Sequence, residues 1–147
     1  MRPTPAWNGG AKPDLVCSFI RGLYSGLAGN WGGKPPTKFT GMEWIQNSVK
    51  ADTDTYAKQA TPLFKPVPGF AREWVRLAKE AGCRYMVFTT KHHEGFALHV
   101  SKFGDYNAGA ILHRDLVKEI VEAAHAEGLR VGFYHSRIIC MGRCVNC

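Results

Sequence analysis

The chain has 147 residues, 45% of them hydrophobic and 21% charged, with 16 glycines, 8 prolines and a formal charge of +7. This composition excludes a mostly disordered chain, no apolar run approaches the ~18 residues of a membrane span, and a secretion leader is not expected. The 19 Lys plus Arg outnumber 12 Asp plus Glu but are dispersed without a recognisable nucleic-acid motif, so a soluble protein with a mildly basic surface, without nucleic-acid or membrane partners, is expected.

The first forty residues are loop-rich around one apolar run, Leu15 to Ile20, suited to a buried strand. Gly41 to Ala60 reads as mostly helical or irregular and ends at Pro62, Pro66 and Pro68. From Phe70 the periodicity sharpens. Phe70, Trp74, Leu77, Ala78 and Ala81 share one helical face, and Gly82 follows as a C-cap. Arg84 to Thr90 is a β-branched and aromatic strand. Asp115 is an N-cap for a helix whose inner face carries Leu116, Val117, Ile120, Val121 and Ala124; Gly128 stops it, and Leu129 to Tyr134 is another strand. Helix, strand, helix, strand with glycine at each helix end is the order of parallel βαβ units, so the fold class is α/β. No internal repeat or domain boundary is evident, and residues 1–147 read as one unit.

In parallel α/β folds, sites gather at the carboxyl ends of strands. There the chain has Lys91-His92-His93-Glu94-Gly95-Phe96, opening a connection of 24 residues that ends at Arg114. So long a connection points to function. The adjacent histidines alone are compatible with ligand contact, with a metal site lacking a third ligand, or with one core and one surface residue. Of the five cysteines, Cys17 and Cys83 lie in apolar segments as buried thiols, whereas Cys140, Cys144 and Cys147 crowd the end.

Several ordered motifs belong together. FAREWVRLAKEAGCRYMVFTTKHHEGFALHVSKFGDYNAG, then RDLVKEIVEAAHAEGLRVGFYHS, resembles the family 29 glycoside hydrolases, the α-L-fucosidases. Their pattern is EW-x-x-LAK-x-AG, T-x-KHHDGF, S-x-x-x-D-Y, RDLV-x-E and YYS. Upstream, Gly22-Leu23-Tyr24-Ser25, Asn30-Trp31-Gly32-Gly33 and Met42-Glu43-Trp44-Ile45 are similar to the family's GLYS, EW-x-G and EWI. The resemblance covers about residues 19 to 137.

It implies a (β/α)8 TIM-like barrel and a retaining hydrolase that releases terminal α-L-fucose from a fucosylated glycan, with no cofactor. It implies substrate binding by Glu43, Trp44, His92, His93 and Tyr134. Bland alternatives are Trp44 in the core, Tyr134 as a strand cap and Glu43 as a solvated helix charge. Trp31, Trp74 and Phe96 read as packing, and Glu94, where the family usually has Asp, as a group that fixes its loop. Since such a barrel needs about 250 residues, the chain is expected to be an amino-terminal piece with about three of eight strands.

Two departures stand out. Where the family reads F-x-HWGLYS, this chain has Phe19-Ile20-Arg21-Gly22, one residue shorter and without a histidine that contacts fucose. A guanidinium cannot accept a hydrogen bond as imidazole can. From residue 138 the sequence diverges, and neither catalytic carboxylate has a matching position, so the polypeptide alone is expected to show little or no activity. Cys140-x3-Cys144-x2-Cys147 offers a rival reading as a metal or iron-sulfur module; a non-catalytic fucose-binding fragment is another.

Overall fold

The computed structural model describes residues 15–19, 22–35 and 41–137, with only the backbone of Leu15 and Cys17. Strand β1 is Leu15–Phe19, followed by the single-turn helix α1 at Tyr24–Leu27. The expected strand end at Ile20 lies outside the described residues, as do positions 138–147. The stretch expected to be helical or irregular from Gly41 to Ala60 divides in two. A 3-10 turn at Met42–Trp44 leads into α2 (Ile45–Ser48), and α3 spans Thr53–Ala60. The break falls where Lys50 adopts positive φ and where Asp52, as N-cap, accepts the amide of Thr55 at 2.9 Å.

Helix α4 runs Phe70–Glu80, and Gly82, with φ of 81°, turns the chain into β2, Cys83–Lys91. The buried stripe of α4 differs from the expected one. Phe70, Ala71, Val75 and Ala78 are buried and Trp74 is half-buried, while Leu77 is 47% exposed and Ala81 is exposed. The helix is rotated so that its stripe centres on Ala71, Val75 and Ala78, which share a face at i, i+4 and i+7. After α5 (Ala108–Leu112), helix α6 (Leu116–Ala126) buries Leu116, Ile120 and Ala124 as expected, with Val117 packed beside them. Strand β3 is Arg130–His135.

The three strands form one parallel sheet in the order β1-β2-β3, with Phe19 beside Phe88 and Phe88 beside Phe133. Parallel neighbours require crossovers, and α4 and α6 supply them. Trp74 joins helix to sheet: it stacks on Phe19 at 5.0 Å and meets Phe70 and Phe88 edge-on at 5.2 and 6.3 Å. Lys79 of α4 donates to the Glu127 carbonyl beyond α6, tying the two helices together. Trp31 stacks on Tyr56 and Phe96 is fully buried, so the three aromatic residues expected to pack do so. Cys83 is buried, but its sulfur is in a disulfide, which corrects the expectation of a free thiol there. The side chain of Cys17 lies outside the described residues.

The 24-residue connection is ordered by its own bonds. Leu98 donates to the Thr90 carbonyl at 2.8 Å, Ala108 to Ala97 at 2.8 Å and Leu116 to Leu98 at 3.0 Å. Asp115 ties the segment to α6: one carboxylate oxygen caps the helix through the Lys118 amide at 2.9 Å, and the other accepts the Val100 amide at 3.1 Å. Asp115→Ala is expected to cost about 1–2 kcal/mol in urea unfolding, with Asp115→Asn recovering most of it; equal losses in both would count against the cap.

Candidate functional site

The carboxyl end of β2 leads into a tight turn, with the Gly95 amide donating to the His92 carbonyl at 3.0 Å and Gly95 at φ 90°. That turn places His92, His93 and Glu94 in succession, and all three are buried. Burial of two imidazoles and a carboxyl group is costly unless each meets a partner.

His93 donates through Nε2 to the Glu43 carbonyl at 2.7 Å, which places a proton on Nε2. Its ring stacks on Trp44 with centroids 4.3 Å apart and planes inclined by 25°. Trp44 is 37% exposed, so one side of the indole packs while the remainder faces solvent. The His92 ring lies 4.1 Å from that of His93, 5.9 Å from Tyr134 and 5.5 Å from Tyr24, whose ring it meets edge to face. His92 Nδ1 is buried without a hydrogen-bond partner. Burial, reinforced by His93, pulls the His92 pKa down to about 4, with the charge of Glu43 acting the other way. His92 is therefore a neutral imidazole at neutral pH, able both to donate and to accept.

All five residues expected from the sequence stand in this neighbourhood. Glu43 and Trp44 come from the 3-10 turn, His92 and His93 from the end of β2, and Tyr134 from β3. Tyr134 is 45% exposed, and its carbonyl accepts from Thr90 Oγ1 at 3.2 Å. Trp44 is thus not a core residue. The result is a row of planar polar groups beside a partly open aromatic face.

Sequence reasoning missed three contributors. Tyr24 belongs to the Gly22-Leu23-Tyr24-Ser25 run, but nothing there shows its ring reaching His92. Tyr56 donates its hydroxyl to Glu94 at 2.7 Å from α3. His135 Nδ1 lies 2.8 Å from Thr90 Oγ1; burial first, then the charges of Lys91 and His99, lower its pKa. Glu94 fulfils its expected part as a loop-fixing group, since the Leu23 and Tyr24 amides and the Tyr56 hydroxyl all donate to it. Burial raises its pKa to about 7 against the pull of those donors.

Among the described residues, no three His, Cys, Asp or Glu side chains are grouped to hold a metal ion. Cys140, Cys144 and Cys147 lie outside the described residues. No helix among the described residues is long and apolar enough to cross a membrane.

The sequence model described as Alpha-L-fucosidase matches residues 21–140. The chain is similar to the tissue alpha-L-fucosidase of Homo sapiens, with 44% identity over 152 residues, covering 92% of this chain and 30% of that protein. Alpha-L-fucosidase 1 of Arabidopsis thaliana is 33% identical over 105 residues, 69% of this chain and 19% of that one. Among solved structures, a GH29 alpha-L-fucosidase from Bacteroides thetaiotaomicron aligns with a TM-score of 0.77 at 36% identity, over 86% of this chain and 28% of that one. AlfC from Lactobacillus casei aligns at 0.72 and 36% identity, over 84% and 37%. The chain spans less than a third of the length of the human and plant relatives. The matched region contains the paired histidines, their Trp44 and Glu43 neighbours and Tyr134, and the chain belongs to the alpha-L-fucosidase family.

Proposed function

We propose that this segment forms the fucose-binding side of a retaining α-L-fucosidase acting on fucosylated glycans. The observation that carries the reading is the convergence of Glu43, Trp44, His92, His93 and Tyr134 at the carboxyl ends of β2 and β3. A sugar needs directional donors and acceptors for its hydroxyls and an apolar ring for its C–H face. Neutral His92 and the Tyr134 hydroxyl supply the first, Glu43 an acceptor, and the open side of Trp44 the second. Among relatives, AlfC has been solved with α-L-fucose product and with Fucα(1,6)GlcNAc. A Bacteroides thetaiotaomicron enzyme has been solved as a trapped covalent intermediate, which supports retention.

The three consecutive parallel strands with their crossover helices are the first three of eight in a (β/α)8-like barrel on this reading. Retaining chemistry needs two carboxyl groups about 5 to 5.5 Å apart, one as nucleophile and one as acid/base. Glu94 is neither: it is 1% exposed and its oxygens already serve three donors. On this reading the catalytic pair belongs to other strands of the barrel, and these 147 residues contribute binding.

Calorimetric titration of the chain with L-fucose should show weak saturable binding, reduced about tenfold by Trp44→Ala through loss of the ring platform. Hydrolysis of an aryl α-L-fucoside should stay at background. Turnover well above background would overturn the assignment of the carboxylates to other strands, and absence of fucose binding would overturn the assignment of the wall.

A further inference from the structure

We propose that Glu94 is the positioning residue of this wall: its buried carboxylate locks the turn after β1 to the end of β2 and thereby sets how Tyr24 meets His92. The structural part of the inference stands on geometry, and its consequence for sugar affinity rests on the fucose-binding reading above.

Helix α1 has no side-chain cap of its own. The amides of Leu23 and Tyr24 at its start are instead met by Glu94, from about seventy residues away in the chain, with the Tyr24 bond at 3.1 Å. A third donor, the Tyr56 hydroxyl, arrives from α3 at 2.7 Å, held by a fully buried ring stacked almost parallel on Trp31. One carboxylate thus fastens three elements, and it directly follows His93 in the chain. Tyr24, 3% exposed, is fixed at its backbone by Glu94 and places its ring edge against His92.

Gly22 confirms how closely the arm is fitted. A Cβ there would fall on Glu94 Oε1 and within 2.8 Å of both Glu94 Cδ and Tyr24 Cε1. The glycine is the space the carboxylate occupies. An Asp at position 94 keeps the charge on an arm shorter by one carbon–carbon bond, about 1.5 Å, too short to hold both amides and Tyr56.

The groups facing this carboxyl are Tyr56, Tyr24, Tyr106, and the His92–His93 pair adjoining it. The tyrosines Tyr56 and Tyr106 are driven upward by burial and by the Glu94 charge and stay protonated, so between them and Glu94 it is the carboxyl that changes charge near neutrality.

NMR of the full chain tests the assignment. In the wild type, the Leu23 and Tyr24 amide shifts should titrate near pH 7. In Glu94→Gln that titration should vanish, the His92 ring resonances should move as Tyr24 leaves its edge-on position, and L-fucose affinity should fall about tenfold. Glu94→Asp should retain a pH dependence without recovering the His92 resonances, and Gly22→Ala should reproduce the His92 shift by displacing the carboxylate. Unchanged His92 resonances in Glu94→Gln would overturn the proposal. If Glu94→Gln does not fold, Tyr56→Phe removes one donor and is read by the same signals, a shift supporting the proposal and none overturning it. Failure of the wild type to bind fucose, with the His92 shifts as expected, would sink the fucose reading and leave the positioning role intact.

Discussion

Between pH 4 and 7 Glu94 and His92 should push the folding stability of the chain in opposite directions, and Glu94→Gln should tilt that balance so that stability rises more steeply with pH than in the wild type. Two buried groups with opposite signs produce the balance. Burial raises Glu94 from its ordinary 4.5 to about 7, so the folded state binds a proton that the unfolded state has lost. Its contribution is fully present below pH 4.5 and is lost as pH rises to 7. His92 is lowered from 6.5 to about 4, mainly by burial, so the unfolded state takes up the proton first. Its contribution is fully present above pH 6.5 and is lost as pH falls to 4. Each displacement corresponds to about 3 kcal/mol by linkage, and over the shared window the two oppose one another. His135, also lowered, adds to the His92 side. Removing the Glu94 proton site should leave a rise of about 3 kcal/mol from pH 4 to 6.5, on top of a pH-independent loss from the broken bonds. His92→Gln should expose the opposite slope. Urea unfolding at several pH values measures this, and a Glu94→Gln profile parallel to the wild type would defeat the explanation.

The strands and the two long helices were legible because local chemistry and tertiary role agree. Arg84 to Thr90 is β-branched and aromatic where a central strand lies, and Asp115 and Gly128 bracket α6 where the chain needs a cap and a stop. The rotation of α4 was not legible, because its apolar residues fill a stripe broad enough to suit more than one orientation. Which part is buried is decided by Phe19 and Phe88 against Trp74. The break at Lys50 was equally hidden, since positive φ there carries no glycine to announce it.

At the site, His92, His93 and Tyr134 could be found because they sit at strand ends in recognisable runs. The Glu94 arrangement could not be read in full. Two of its three donors are backbone amides, which leave no mark in the sequence, and the third is a tyrosine 38 residues away. Gly22 was the only local hint, and its meaning appears only once the carboxylate is seen filling the place of a Cβ.

The other large effect expected is on the fold itself. Phe88→Ala should destabilise the chain by about 3–5 kcal/mol, a substantial part of the 5–15 kcal/mol typical of a folded domain. Phe88 is 1% exposed on the central strand, flanked in register by Phe19 and Phe133. It also meets Trp74, which bridges Phe19 and Phe70, so truncation removes support from a ring that connects helix α4 to the sheet. A partly open cleft of about 360 Å³ borders Phe88 together with Phe64, Leu98 and Leu116. Deleting the ring would enlarge that space rather than invite collapse, because the cost of a void is least where neighbours can close it, and here some are already held apart. Phe103→Ala, at a position 90% exposed, should change stability by less than about 0.5 kcal/mol and controls for loss of an aromatic ring as such. Urea midpoints followed by circular dichroism distinguish the two, and a Phe88→Ala loss below about 1 kcal/mol would contradict the packing of α4 on β2. The distinction bears on the site: His92 and Tyr134 hang from the ends of β2 and β3, so Phe88→Ala should abolish fucose binding only as the chain unfolds. Trp44→Ala should weaken binding with the fold intact.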